Sequence, residues 1–526
     1  MQWDYIIIGS GFGGSVSALR LVEKGYSVLM VEKGRRFTND DFPKTNWDLK
    51  RWMWLPALGL KGLFKMTFLD HITALSGVGV GGGSLVYGNT LPVPKDAFFE
   101  ADSWRELADW KNELRPHYDT VGRMLGAVPN PHFTDTDEVL RQVAKEYGRE
   151  EHFGPNEVAV YFGESQVTVD DPYFDGEGPA RTGCRLCCGC FLGCRYDAKN
   201  TLDKNYLYLA EKRGLTIEAE SEVTWVRQCG DGTFELDIKE GIPGAIDHRS
   251  TRSVSAKKVI FAGGVLGTLP LLLKLKESPY GLPQLSPRVG DFVRTNSEVL
   301  MGVVSRKKQK KMSSGIAISS IFHADDHSHV EPCRYPEGAG FFRTMVLPHA
   351  AGETLGERIK DALSTIVRQP VATAKALTVA DWAKQAVVLL YMETHDGHLS
   401  LRLGRTIRNG FTRGLKTTLA KGKAPAASIP RATEIGKRVA KKVDGYLESL
   451  LTETLFGIPT TAHILGGCCM GERAEDGVID AQHRVHGYPG LYVIDGAAVS
   501  ANPGVNPSRT IAALAERAMT YIPAAG

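Results

Sequence analysis

Five of the nine cysteines crowd into one short stretch, Cys184, Cys187, Cys188, Cys190 and Cys194. Leaving Cys188 aside, their spacing is C-x2-C-x2-C-x3-C, the run that wraps iron-sulfur clusters in ferredoxin-type proteins, although Arg195 follows where those carry Pro. Glycines between the thiols let a loop bend sharply enough to close round a cluster. Cys194 would serve the same cluster or a different one, and Cys188 stays open as a ligand. Two alternatives use the same residues: a structural zinc on Cys184, Cys187, Cys190 and Cys194, or a cysteine-rich loop that binds nothing. A disulfide framework is not expected of a large chain whose thiols stay reduced.

A second constellation sits at the start. Residues 5–8 are a short apolar run that suits a buried parallel strand, followed by Gly9, Gly11 and Gly14 in G-x-G-x-x-G spacing and a helix ending near Gly25. Gly9 permits the tight turn, Gly11 lets backbone approach a pyrophosphate, and Gly14 lets helix and strand close up, with the helix N-terminus adding partial positive charge. A further apolar strand, 27–31, ends in Glu32, where a carboxylate meets ribose hydroxyls. This is a dinucleotide site, and the spacing leaves FAD and NAD both open. Three later segments bear on that choice, though each alone is compatible with ordinary α/β packing. One, too rich in glycine for a helix or a free-standing strand, contains Gly79, Gly81, Gly82, Gly83 and Ser84, so its backbone is pressed against a neighbour, for which a cofactor is the candidate. Another strand turns at Gly263 and Gly264 into a Leu-rich helix. The last ends in Asp495 and Gly496, ahead of Val505-Asn506-Pro507 and a helix from Thr510.

To position these groups, the strand and helix signals predict an α/β chain with a doubly wound sheet. At 526 residues it exceeds one ordinary domain. A charged fraction of 23% and a hydrophobic fraction of 43% exclude a disordered chain, and a net charge of +3 excludes the electrostatic footprint of a nucleic-acid binder. The opening Met1-Gln2-Trp3-Asp4 has no signal-peptide pattern and no run reaches the roughly 18 apolar residues of a spanning helix, so a cytoplasmic protein is expected. Peripheral contact with the inner face of a membrane, or with an acidic partner, would use the basic run 306–311 or the amphipathic segments 47–66 and 359–390.

Taken in order, these segments resemble the signatures of the glucose-methanol-choline (GMC) family of FAD oxidoreductases, and within it the bacterial cholesterol-oxidase-like members. The resemblance spans residues 1–520 and is weakest at 131–180 and 350–450. It implies FAD as cofactor, and a discontinuous Rossmann-type FAD-binding domain from 1–45, 70–130, 200–300 and 462–526. It also implies a substrate domain with an antiparallel sheet and helices from 46–69, 131–199 and 301–461, carrying an apolar lid and the cysteine loop.

The same resemblance implies the reacting centre. The stretch from Thr460 to Cys468 is similar to the family's H-x-x-G segment, and Val505-Asn506-Pro507 to its second catalytic segment. His463 would then take the hydroxyl proton while Asn506 holds the same oxygen. His329-Val330-Glu331-Pro332, with Pro336 and Gly338 beyond, resembles the segment carrying the active-site carboxylate of cholesterol oxidases. That makes Glu331 the group that moves a proton as a 5,6 double bond shifts into conjugation. One departure is Tyr87, where those enzymes carry Asn, which puts the flavin-edge contacts and any oxygen pocket in question. The expectation is oxidation of a small hydrophobic alcohol, a 3β-hydroxysteroid first and a long-chain or terpenoid alcohol second. With a cluster at the cysteines, electrons would pass to a redox partner protein; without one, the enzyme would be an oxidase using O2. The rival is a flavin and iron-sulfur carrier without its own substrate.

Overall fold

The apolar run at the start of the chain becomes strand Gln2–Ile8, with Tyr5, Ile6 and Ile7 fully buried. In this computed structural model, which describes residues 2–307, 312–350, 352, 354–368, 370, 374, 378–406, 410–419, 424–426 and 428–526, that strand lies between Val28–Val31 and Thr251–Phe261, parallel to both. Thr216–Glu218 extends the parallel set beyond Val28–Val31. Thr251–Phe261 is long enough to serve two partners on its other side. Its first half pairs antiparallel with Phe234–Glu240, and residues 259–261 pair in parallel with Leu491–Val493. The parallel strands are continuous apolar runs because both faces of such a sheet are covered. The two chain ends are fastened together: Arg20 forks onto Glu516 at 2.7 and 2.8 Å, and the Tyr206 hydroxyl joins the same carboxylate.

A second sheet is antiparallel, in the order Val346–Pro348, Gly445–Leu450, Val299–Ser305, Ala386–Glu393, Ser328–Cys333, Ser320–Phe322, Phe153–Pro155. Its side chains alternate strictly. Met301, Val303, Val330, Val387 and Leu389 pack under helices Asp135–Glu146 and Pro430–Lys442, whereas Leu300, Gly302, Val388 and Leu390 face a cavity. The expected domain boundary at 300/301 falls inside Val299–Ser305, so both sides of that boundary belong to one strand.

Segment 47–66 folds inward more than an apolar lid requires. It forms helix Leu49–Trp52 and short strands up to Phe64–Phe68, and the Trp52 and Phe64 rings stack at 4.7 Å. Helix Leu355–Arg368 is the more exposed element, burying Ala362 and leaving Leu355, Ile359, Leu363 and Val367 in a stripe on the surface. Residues 308–311 of the basic run, and 369, 371–373 and 375–377 of segment 359–390, lie outside the described residues. Among the described residues no helix is long and apolar enough to cross a membrane.

Candidate active site

A cavity of about 400 Å³ runs from the first glycine turn to the antiparallel sheet. At its nucleotide end Gly9 has φ +104°, and a Cβ there would stand 2.6 Å from the Ala262 carbonyl oxygen. Gly82 of the second glycine loop lies on Gly11, its Cβ position 2.7 Å from the Gly11 Cα. Gly11 itself is open. A Cβ there would meet only the Ala262 oxygen, at 3.9 Å, and the free side faces the cavity at the N-terminus of helix Phe12–Glu23. That is the cradle a pyrophosphate fills, with unpaired backbone N–H groups and partial positive charge behind it.

Gly14 does pack on Gly9, 2.2 Å from its oxygen to the Cβ position, but the tightest approach of helix to strand falls at Gly13, where a Cβ would stand 1.8 Å from the Ile494 oxygen. Glu32 accepts from Ser10 N–H and Oγ at 3.1 and 2.8 Å and from Gly34 N–H at 2.8 Å. Its carboxylate stands at the cavity edge, with lone pairs to spare for ribose hydroxyls. Gly263, Gly264, Asp495 and Gly496 line the cavity as expected. Asp495 accepts from Gly264 N–H, Thr268 Oγ1 and Ala497 N–H at 2.8, 2.5 and 2.8 Å, so it clamps two turns together, and burial pushes its carboxyl up to about 6. Gly79, Gly81 and Ser84 do not line the cavity as Gly82 and Gly83 do. The Ser84 hydroxyl donates to Gly81 O at 2.7 Å and accepts from Leu202 N–H at 3.0 Å, so these three shape the loop from behind.

His463 owes its position to strand register. Asp291–Arg294 and Leu465–Gly467 pair antiparallel with Arg294 opposite Leu465, so the chain beyond each points the same way and carries Glu298 to His463. Glu298, its side chain fully buried, takes His463 Nδ1 at 2.5 Å on one oxygen and Ala462 N–H on the other. The carboxylate makes Nδ1 the protonated nitrogen and leaves Nε2 for the cavity that His463 lines. Asn506 lines the same cavity just before helix Ser508–Thr520, in a segment held by Asn296 Nδ2 on Val505 O at 2.9 Å. Its buried Oδ1 has no hydrogen-bond partner.

Glu331 is fully buried in strand Ser328–Cys333. Oε1 accepts from Asn156 Nδ2 at 2.5 Å, and Oε2 has no partner. Burial pushes its carboxyl up to about 7, against opposing contributions from Asn156, Asn506 and His463. The three groups expected at the reacting centre are thus brought together. Glu298 and Asn156 escaped the sequence reading. An acid opening the apolar strand Val299–Ser305 was a signal for the first, and nothing local marks the second. Tyr87 turns its hydroxyl out to Asn200 O at 2.7 Å and presents its ring to the cavity, edge-on to Phe12.

Cys184, Cys187, Cys188, Cys190 and Cys194 line a second cavity of about 350 Å³, together with Asn89, Lys44 and Lys199. Positive φ at Leu186, Cys188 and Gly193 bends the loop around it. Only one layer of chain separates the two cavities: Gly88 lines the first and Asn89 the second, as do Phe191 and Cys190. Lys199 Nζ donates to Leu85 O and Cys190 O at 2.9 and 2.7 Å, while both polar atoms of the Asn89 side chain lack partners. All nine cysteines are free. Among the described residues no group of three or more His, Cys, Asp or Glu is arranged to hold a metal ion, so neither the zinc nor the iron-sulfur expectation finds a ready-formed site at Cys184, Cys187, Cys190 and Cys194.

Comparisons with known proteins agree with this architecture. The family profile of GMC oxidoreductases matches residues 398–515, and that of NAD(P)-binding Rossmann-like domains matches residues 7–40. The cholesterol oxidase of Acinetobacter baumannii is 42% identical over 99% of this chain and 95% of its own, and that of Mycobacterium tuberculosis is 42% identical over 100% and 92%. The 2-methyl-1,2-propanediol dehydrogenase of Mycolicibacterium austroafricanum is 24% identical over 99% and 95%. Among solved structures, pyridoxine 4-oxidase from Mesorbium loti shares the fold, with a TM-score of 0.63 and 17% identity over 99% of both chains. With the full-length identity, the flavin-ready glycine cradle and the cavity-facing histidine in one molecule, the chain belongs to the GMC oxidoreductase family and is an FAD-dependent alcohol oxidoreductase.

Proposed function

We propose that this enzyme oxidises the 3-hydroxyl of a 3β-hydroxysteroid or a closely similar bulky apolar alcohol to the ketone. The observation that carries the reading is His463, oriented by Glu298, lining an apolar cavity beside Asn506, with the fully buried Glu331 next to both and its carboxyl raised by burial to about 7. FAD, held along Gly11, Gly82, Gly263 and Gly264, supplies the hydride acceptor. His463 Nε2 accepts the hydroxyl proton, and the positive charge that develops on the ring is met by Glu298. Asn506 holds the same oxygen through the process. Glu331, buried beside Asn506, takes a proton from one side of a neighbouring double bond and returns it at the other. Full-length identity to proteins named cholesterol oxidases supports the substrate class. The test is reduction of the bound flavin by a 3β-hydroxysteroid without oxygen. His463→Ala and Asn506→Ala should each slow it about 10²-fold or more with FAD retained, and wild-type rates would remove both from the chemistry.

A second reading concerns where the electrons go, and the cysteine-lined cavity is what favours it. Each thiolate of a four-iron cluster binds its own iron, so such ligands surround a space and do not converge on a point. Lys44 also lines that cavity, whereas burial lowers Lys199 to about 7 and pushes the thiols of Cys184, Cys187, Cys188 and Cys190 up. On this reading Gly88 and Asn89 would form the wall between the flavin site and the cluster site, and a cluster there would supply one-electron transfer to an external carrier protein. Protein purified without oxygen should then contain about three or four irons with matching acid-labile sulfide. Iron-free protein that makes hydrogen peroxide on turnover would return the enzyme to the oxidase reading. Any peripheral membrane contact would use the exposed stripe of helix Leu355–Arg368.

A further inference from the structure

The far end of the substrate cavity contains a carboxyl group that the oxidation does not use. Glu448 sits in strand Gly445–Leu450, almost fully buried, and lines the cavity with Phe342, Val388 and Leu450. Its Oε1 has no hydrogen-bond partner, and no ion pair reaches it among the described residues. Beside it the indole Nε1 of Trp382, also buried and also lining the cavity, is likewise unpartnered. The facing position on the next strand is Gly302, where a Cβ would stand 2.6 Å from the Glu448 Cγ. The absence of a side chain there makes room for the carboxyl. The indole N–H lies close enough to the Glu448 carboxyl to act on it, but neither group completes a well-formed hydrogen bond, and a buried polar group left short of its bonds costs on the order of 1–3 kcal/mol. Burial pushes the Glu448 carboxyl up to about 8, against a smaller opposing contribution from the Trp382 N–H, so it is mostly neutral at pH 7 and can donate as well as accept.

Register places this pair relative to the reacting centre. Glu448 stands opposite Gly302, Gly302 opposite Val388 and Val388 opposite Cys333, one pleat repeat along from the row Leu300, Leu390, Glu331. Residues two apart share a face, so Glu331 and Glu448 point to the same side. Three strand spacings and a two-residue offset put their Cα atoms about 16 Å apart. That separation accommodates a tetracyclic skeleton with its 3-hydroxyl at His463 and its far ring near Glu448.

We infer that Glu448 and Trp382 recognise a second oxygen at the distal end of the substrate, and that the enzyme prefers 3β-hydroxysteroids bearing a hydroxyl or carbonyl there over those ending in hydrocarbon. A distal hydroxyl seated between them would donate to Glu448 and accept from Trp382, in place of their weak contact with each other. A carbonyl would accept from both. The inference rests on the alcohol-oxidation reading of this cavity.

The test compares two 3β-hydroxysteroids that differ only in the presence of a 17-hydroxyl, with wild type, Glu448→Gln and Glu448→Leu, each checked for bound FAD. Wild type should favour the 17-hydroxylated steroid at least tenfold in kcat/KM, mainly through KM. Glu448→Leu, close in volume, should bring that ratio near one, and Glu448→Gln, which can still donate and accept, should keep most of it. No preference in wild type, or an unchanged ratio in Glu448→Leu, would overturn the inference. If neither steroid reduces the flavin, the oxidation reading fails separately. Perturbation of the flavin absorbance by each steroid then reports binding, with the same ratios supporting or overturning the role of Glu448.

Discussion

Replacing Glu298 by Gln tests the device that sets the tautomer of His463. The wild-type carboxylate accepts twice, from Ala462 N–H on one oxygen and from His463 Nδ1 on the other. Glutamine has one acceptor oxygen and one NH2 group. The backbone N–H of Ala462 cannot move away, so the amide oxygen stays with it and the NH2 group faces Nδ1. That nitrogen must then be unprotonated, which puts the proton on Nε2, the nitrogen that has to accept it from the alcohol. Loss of a charge-assisted hydrogen bond is worth about 1.5–3 kcal/mol. The fully buried carboxylate no longer meets the charge that develops on the ring, an interaction of up to about 4 kcal/mol at 4 Å and an effective dielectric of 20. Partial overlap of the two gives about 3–4 kcal/mol, and at 1.4 kcal/mol per decade a fall of about 10²–10³ in the rate of flavin reduction. Anaerobic stopped-flow with a 3β-hydroxysteroid measures it through the bleaching of the flavin band. The loss should fall on kcat with KM little changed, because substrate does not touch Glu298. A rate within threefold of wild type, with FAD bound, would refute the orienting role.

Glu331→Gln should still oxidise a 5-ene steroid but accumulate the unconjugated ketone, seen as the absence of enone absorbance; in wild type the conjugation step should quicken as pH rises through about 7, because only the ionised carboxylate accepts the proton. Conjugated product from the variant at the normal rate would show that another group does this work. At the nucleotide turn, Gly11→Val should fold but purify without FAD, whereas Gly13→Ala should fail to fold, its Cβ meeting the Ile494 oxygen at 1.8 Å; soluble, flavin-loaded Gly13→Ala would contradict the packing. Glu453 is raised by burial from its ordinary 4.5 to about 8 and accepts from Thr460 N–H. The folded state therefore keeps a proton that the unfolded chain has released between these values, and stability falls as pH rises across that window. Glu453→Gln, which retains the acceptor, should raise Tm relative to wild type at pH 8 and not at pH 4.5, and equal differences at both pH values would exclude the linkage.

The nucleotide half of this enzyme was written locally. A strand, a glycine turn, a helix and an acid follow one another in the chain, so the spacing of Gly9, Gly11 and Glu32 already specifies what backbone and carboxylate can do, and the apolar runs of the parallel sheet are readable because both faces are covered. Even there, packing reassigned roles: Gly13 makes the closest approach to a strand that lies almost five hundred residues away, and Ser84 faces Leu202 instead of the cavity. The reacting centre was legible only by resemblance, since nothing around His463 in the sequence distinguishes it from a structural histidine. Its partner Glu298 is brought to it by the antiparallel register of two strands distant in sequence, and Asn156 reaches Glu331 across a sheet assembled from seven separate segments. The cysteine spacing was plain in the sequence, but only the fold shows that those thiols line a cavity one chain layer from the flavin site. Local pattern fixes what the backbone can adopt within a few residues, whereas the burial that tunes Glu331 and Glu448, and the pairing that orients His463, depend on groups that meet only when distant strands come into register.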